Sequence, residues 1–187
     1  VSRWQPNARG RLEEAALELY ASHGFDATTV AEIAAHAGLT ERTFFRYFAD
    51  KREVLFSGQA ALIESMTGAV AGMPAGTAPL DAVGAGLHAA ARIIGGRRDG
   101  ARRRQAVIDA NPGLQERELS KLATLGAALT EALRGRGVTE LTARVTAEAG
   151  IAVFKVAFER WIQAEESELT EAVEDALEAL KVLSANG

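Results

Sequence analysis

The sequence predicts an all-α protein of about nine helices. Three observations carry that reading. Apolar residues make up 48% of the 187 positions, and they recur at three- and four-residue intervals along most of the chain. Prolines number only four, and a helix interior tolerates none without a kink. Gly, Pro and Asn cluster at Gly24, Gly72–Pro79, Gly95-Gly96, Asn111-Pro112 and Gly135–Gly137, where helices are expected to stop.

Taken in order, helix one is expected over about Ala8–Ser22, with Leu12, Ala16, Leu19 and Tyr20 inward and Gly24 ending it. Helix two spans about Val30–Ala37 after a capping Thr29, and helix three about Glu41–Phe48 after Thr40. Asp50 caps a long helix four, about Lys51–Ala71, whose stripe is Leu55, Leu62, Ile63, Met66 and Val70. Past the Gly/Pro linker, Leu80, Val83, Leu87, Ala91 and Ile94 form the stripe of helix five. Helix six covers about Ala101–Ala110 and helix seven about Gly113–Arg134, with Leu122, Leu125, Leu129 and Leu133 on one side.

The last two helices are apolar over unusually wide arcs. On about Glu140–Glu166, Ile151, Phe154, Phe158 and Ile162 make one stripe, and Val145, Ala149, Val153 and Val156 make another nearly opposite. The final helix repeats Leu169, Val173, Ala176, Leu180 and Leu183 at alternating steps of four and three, as a bundle seam does. Burial on two sides implies a second surface besides the chain's own core.

The most specific stretch is Thr29–Phe48, TVAEIAAHAGLTERTFFRYF. Ala34 is small enough for two helices to cross closely there. Gly38 can take the positive φ of a sharp reversal, and Leu39 plugs the corner. Thr40 can satisfy the open N–H groups of the next helix, on which Phe44 and Tyr47 fall at i and i+3 on the inner face. That helix holds more aromatic surface than two turns can bury. This is the helix-turn-helix pattern, whose second helix reads a DNA major groove.

Composition sets the bounds. No cysteine is present, which excludes disulfides and thiolate metal sites. No apolar run approaches ~18 residues, so no membrane span is expected, and with no signal-peptide pattern the expected location is the cytoplasm. His23, His36 and His88 stand far apart, and neither a phosphate-cradling G-x-x-x-x-G-K loop nor a G-x-S-x-G elbow occurs, so an enzyme, a metal site and a cofactor are not expected. The net charge is −4, against the usual basicity of a nucleic-acid binder. Over residues 1–56 the bases Arg3, Arg9, Arg11, Arg42, Arg46, Lys51 and Arg52 fall one short of the acids. The argument for DNA is therefore about where the charges stand.

Residues 11–56 resemble the DNA-binding region of the tetracycline-repressor (TetR) family of transcriptional regulators. The resemblance rests on Ala15-Ala16, Leu19, His23-Gly24-Phe25, Thr28-Thr29-Val30, Ile33-Ala34, Ala37-Gly38-Leu39, Thr43-Phe44-Phe45, Tyr47-Phe48 and Lys51. It implies a DNA-binding domain over 1–56, with its motif at 29–48, and a larger helical ligand-binding and dimerisation domain over 57–187. It further implies a homodimer on a palindromic stretch of double-stranded DNA, released by a small-molecule effector. The last two helices would pair with their symmetry mates, with Val145, Ala149, Val153, Val156, Val173 and Leu180 as interface residues. Phe45 departs from the family, where Tyr is common, and leaves only stacking on sugar or methyl.

Within the motif, Thr29, Thr40, Tyr47 and Lys51 are candidates for phosphate, with plain capping as the alternative for the two threonines. Arg42 and Thr43 are the candidate base readers, and Arg46 either touches phosphate or is solvated. Phe44 and Phe48 read as core. His88, Arg104, Gln105 and Trp161 are the polar candidates for an effector pocket. Arg97, Arg98, Arg102, Arg103 and Arg104 read as a solvated basic turn; the alternatives are an acidic effector or the DNA-binding domain. The competing reading is a helical ligand-binding or scaffolding protein whose motif no longer binds DNA.

Overall fold

The computed structural model describes residues 7–185. Arg3, one of the bases expected ahead of the first helix, lies outside them. All regular structure among the described residues is helical: α1 (Ala8–His23), α2 (Val30–His36), α3 (Glu41–Tyr47), α4 (Glu53–Phe56), α5 (Gln59–Ala71), α6 (Pro79–Ile94), a 3-10 turn (Gly95–Arg97), α7 (Arg98–Asp109), α8 (Pro112–Gly135), α9 (Glu140–Gln163) and α10 (Leu169–Ala185). The expected long helix over 51–71 is two helices. Ser57 and Gly58 stay near helical angles, but Gly is a weak helix former, and the Ser57 carbonyl accepts from Arg9 Nη2 at 2.5 Å. The span Glu53–Ala71 has the length and mean hydropathy of a membrane-crossing helix, 19 residues at 1.2, contrary to the expected absence of such a run. The span is interrupted at Ser57-Gly58 and carries Glu53 and Glu64; its first helix buries Val54, Leu55 and Phe56, and its second buries Met66 and Val70.

The chain divides into two compact units. The first holds the residues up to Ser57 together with Arg103–Glu118; the second holds Gly58–Arg102 and Leu119 onward. This differs from a simple division at residue 56. The late insertion into the first unit has an apolar cause: Val107, Ile108 and Leu114 bury in one core with Val54, Leu55 and Phe56. Polar ties add to it. Arg104 Nε donates to the Leu55 carbonyl at 2.6 Å, its guanidinium lies 5.0 Å from the Phe56 ring centre, and Nη1 reaches Glu118 at 3.1 Å. Burial pushes the Arg104 pKa down from its ordinary value while Glu118 works against that. Arg117 pairs with Glu53, and Arg103 with Glu14 at 2.8 Å.

In the second unit, α5, α6, α9 and α10 pack around Met66, Val70, Leu87, Leu129, Leu133, Trp161 and Leu169. Close approach needs small residues. A Cβ built on Gly150 would stand 2.4 Å from Val83 Cγ1, so α9 meets α6 at a distance only glycine allows there. The core face of α9 runs Ala143, Ala147, Gly150, Ile151, Val153, Phe154, Ala157, Trp161.

Candidate nucleic-acid interface

The helix-turn-helix is held from three sides. Gly38 turns the chain at φ 63, and Ile33, Ala34 and Phe44 are buried in the corner, with Leu39 partly buried against the same core. Arg11 Nη2 on α1 donates to the Ala37 carbonyl at the end of α2. Fully burying Phe44 contributes about 3 kcal/mol, a large share of what orients so short a helix.

Phe44 on α3 and Phe48, the extended residue that follows its end, are buried, and their rings meet at 5.3 Å. At 3.6 residues per turn the opposite side carries Arg42 and Arg46, one turn apart, with Phe45 on one flank and Thr43 on the other. Arg42 and Arg46 are exposed, and Phe45 is 55% exposed. Tyr47, expected on the inner face, is 41% exposed instead, because Phe44 and Phe48 already fill the groove. The Arg46 guanidinium lies 4.9 Å from the Tyr47 ring centre and Nη2 donates to its hydroxyl at 3.2 Å. Thr40 Oγ1 accepts from the Thr43 N–H at 3.2 Å, and the two hydroxyls are 3.1 Å apart. Thr40 is thus a cap in this structure, leaving its other lone pair and Thr43 at the exposed start of the helix.

Two expected phosphate contacts are otherwise engaged. Lys51 Nζ donates to the carbonyls of Phe25, Asp26 and Thr28 at 2.8, 3.1 and 2.9 Å and sits 4.5 Å from the Phe25 ring centre. An ammonium has three donors, so Lys51 is a tie across the α1–α2 loop. Thr29 forms a full capping box with Glu32: its N–H and hydroxyl donate to Glu32 Oε2 at 2.7 and 2.8 Å, and the Glu32 N–H returns a bond at 3.2 Å. Those bonds, the backbone one first, hold the Glu32 carboxyl below its ordinary pKa. The T-x-x-E spacing that announces such a box was readable in the sequence. Partial burial alone would raise the Asp50 pKa, but Arg52 and the N–H groups of Arg52 and Glu53 hold it below the ordinary value; the N-cap position of α4 is Arg52, and Asp50 Oδ1 accepts the two N–H groups at that end.

The charge placement is therefore sharper than counting suggested. Arg9 pairs with Glu13, Arg52 with Asp50, Arg11 and Lys51 hold backbone carbonyls, and Arg42 and Arg46 remain pointing outward without an ion pair among the described residues.

The pocket candidates fall in different units. Arg104 and Gln105 belong to the first unit, where Gln105 Nε2 bonds Asp109 at 2.9 Å and Glu118 at 3.2 Å; both side chains are structural ties. His88 bonds Glu174 at 2.8 Å, and Trp161 is wholly buried, both in the second unit. The basic turn is not simply solvated either. Arg98 donates to the Glu165 carbonyl and Arg102 to those of Ile162 and Ala164, which closes the end of α9. Of the expected interface residues, Val153 and Val173 are buried in the protomer's own core against neighbouring helices, which excludes them from an outer surface. Ala149 and Leu180 are half-buried, Val145 is 60% exposed, and Val156 is exposed. The sequence reading missed Leu141, at 75% exposure one turn before Val145, and Val182 beside the expected seam.

Comparison with known proteins gives two matches along the chain, and the second runs through Arg103–Glu118 of the first unit. Residues 12–57 match the model for bacterial regulatory proteins of the tetR family, and residues 77–183 match the MftR C-terminal domain. The chain is similar to the HTH-type transcriptional regulator TcmR of Streptomyces glaucescens, 29% identical over 92% of this chain and 82% of that protein. It is also similar to the putative mycofactocin biosynthesis transcriptional regulator MftR of Mycobacterium tuberculosis, 26% identical over 96% and 92%. Among solved structures, the fold is shared with the transcriptional regulator FadR of Bacillus subtilis in complex with stearoyl-CoA. That match has a TM-score of 0.62 and 20% identity, and it covers 91% of this chain and 96% of that one.

Proposed function

Because the chain belongs to the TetR family of bacterial regulatory proteins, DNA-binding transcriptional regulators and not enzymes, we propose that it is a homodimeric repressor released from a palindromic operator by a small-molecule effector. The observation that carries the reading is the two-sided α3: Phe44, with Phe48 just past the helix end, anchors one side, and Arg42, Thr43, Phe45 and Arg46 stand on the other. Arg42 and Thr43, in the first turn, are the base readers; an arginine there favours guanine N7 and O6. Arg46, backed by Tyr47, serves the phosphates, and Phe45 stacks on sugar or a thymine methyl.

Leu141, Val145 and Val156 on α9 with Val182 and Leu183 on α10 supply the apolar surface for a second copy. A two-fold dimer then reads two half-sites spaced by whole helical turns. The second unit, Gly58–Arg102 with Leu119 onward, senses the effector. Helices α7 and α8 each have residues in both units, so they carry the coupling; α4 and α5, being broken apart, make a poor lever. An effector that prefers the conformer with misplaced recognition helices releases the DNA. The protein works where the operator is, in the bacterial cytoplasm.

The test is a gel shift and footprint on the DNA upstream of its own gene at several salt concentrations. The reading expects two-fold symmetric protection and affinity that falls steeply with salt. Binding without salt dependence, or no protection at all, would favour the helical scaffold without DNA function.

A further inference from the structure

We propose that Trp161 and Arg98 form a two-donor seat for a carboxylate carried on an apolar body, the anionic end of the effector. The proposal rests on the effector-released reading above. Trp161 is the largest fully buried side chain among the described residues, on the core face of α9. Its indole Nε1 is buried without a hydrogen-bond partner among the described residues, and so is Nε of Arg98. The two orphans belong to one pair, with the Arg98 guanidinium 5.4 Å from the Trp161 ring centre.

Buried polar side-chain atoms are nearly always bonded, so two orphans on one stacked pair call for a shared explanation. Indole N–H and guanidinium are donors only, and what they lack is an acceptor. Three carbonyls at the end of α9 are engaged by other nitrogens: Glu165 accepts from Arg98 Nη1 at 2.5 Å, Ala164 from Arg102 Nη2 at 2.5 Å, and Ile162 from Arg102 Nε. The Glu165 bond alone holds Arg98, by its far end, and leaves Nε over.

Charge and surroundings narrow the ligand class. Arg98 has no ion pair among the described residues; the nearby Asp99 carboxylate reaches Arg102 instead, at 4.0 Å. A carboxylate presents two oxygens, one for each donor, and neutralises the guanidinium. A phosphate would bring surplus charge and unmatched oxygens into an apolar setting, which is costly. The setting is aromatic and aliphatic. Phe158 lies 5.8 Å from Trp161 and stacks on Phe154 at 6.3 Å, so the body behind the carboxylate is apolar.

The experiment uses the full chain. Trp4→Phe leaves Trp161 as the only one of the two tryptophans, so its 15N-labelled indole gives a single N–H signal. Decanoate and 2-naphthoate, an aliphatic and an aromatic carboxylate, are titrated in, with decylamine as control. At least one carboxylate is expected to move the signal saturably downfield, and decylamine is not. Calorimetry with the responding acid should show Arg98→Met and Trp161→Phe each weakening binding about tenfold, the order of one charge-assisted bond. Arg98→Lys keeps the charge and should lose less than Arg98→Met. An unmoved signal with both acids, an equal response to the amine, or unchanged affinity in Arg98→Met overturns the seat. Operator binding by the ligand-free protein is scored separately, so failure of the regulator reading is told apart from failure of the seat.

Discussion

Lys51 Nζ sits 4.5 Å from the centre of the Phe25 ring and donates to three backbone carbonyls of the loop between α1 and α2. A cation facing the helix-turn-helix motif is thereby built into its frame. Replacing Lys51 by Met removes charged hydrogen bonds and a cation–π contact. Denaturant unfolding should show the chain less stable by about 2 kcal/mol. The salt dependence of DNA binding should keep its slope, since a lost phosphate contact would lower it by about 1 per site.

Arg42 and Arg46 occupy the same outward side of α3 but different turns, which separates their expected effects. Arg42→Ala should cost about 1–3 kcal/mol at one base position in each half-site and relax the preference there. Arg46→Ala should weaken all sequences alike and reduce the salt slope. Affinities on a set of single-base operator variants at two salt concentrations distinguish them. A uniform loss for Arg42→Ala makes it a phosphate contact.

What could be read from sequence was local. Thr29, Gly38, Thr40, Phe44 and Phe48 act through neighbours three or four residues away, so period and capping chemistry announce them. Asp50 belongs with them. Lys51, Arg98, Arg102 and Arg104 bond carbonyls 23 to 67 residues distant, and no spacing rule predicts which carbonyl a long side chain finds. Val145 and Val153 look alike on a helical wheel whose apolar arc is too wide to orient. Packing against neighbouring helices buries one and leaves the other outside. The first unit's capture of Val107, Ile108 and Leu114 was hidden for the same reason.

The capping box gives α2 an acid limb. Glu32 titrates below its ordinary pKa because its folded carboxylate accepts from Thr29. A depressed pKa contributes stability above the unfolded value, here about 4.5, and loses it as pH falls through the folded one. Asp50 acts with the same sign. Glu32→Gln keeps a capping acceptor that does not titrate. Its denaturation midpoints between pH 7 and 3 should fall less steeply than those of the parent; equal slopes would remove Glu32 from the account.

The α6–α9 crossing tests packing. A Cβ at Gly150 meets Val83 Cγ1 at 2.4 Å, and both residues sit in helix interiors. Gly150→Ala gains helix propensity but forces this contact apart, with a net loss of about 1–3 kcal/mol expected. Adding Val83→Ala removes the clashing methyl groups and should recover part of the loss. A strongly non-additive double-mutant cycle is the signature; additivity would mean the helices shift freely.

Val145 and Val153 are eight residues apart on α9 and should fail in different ways. Val145 is 60% exposed and Val153 is buried in the protomer's core. If α9 and α10 meet a second copy, Val145→Glu puts a charge into each side of a symmetric contact while leaving the protomer folded. Sedimentation should then find a monomer with unchanged helical content, and operator affinity should collapse because two half-sites are no longer read together. Val153→Glu buries an unpaired charge and should lower stability by more than about 3 kcal/mol, abolishing both properties through unfolding. A Val145→Glu chain that stays dimeric moves the interface off this face of α9.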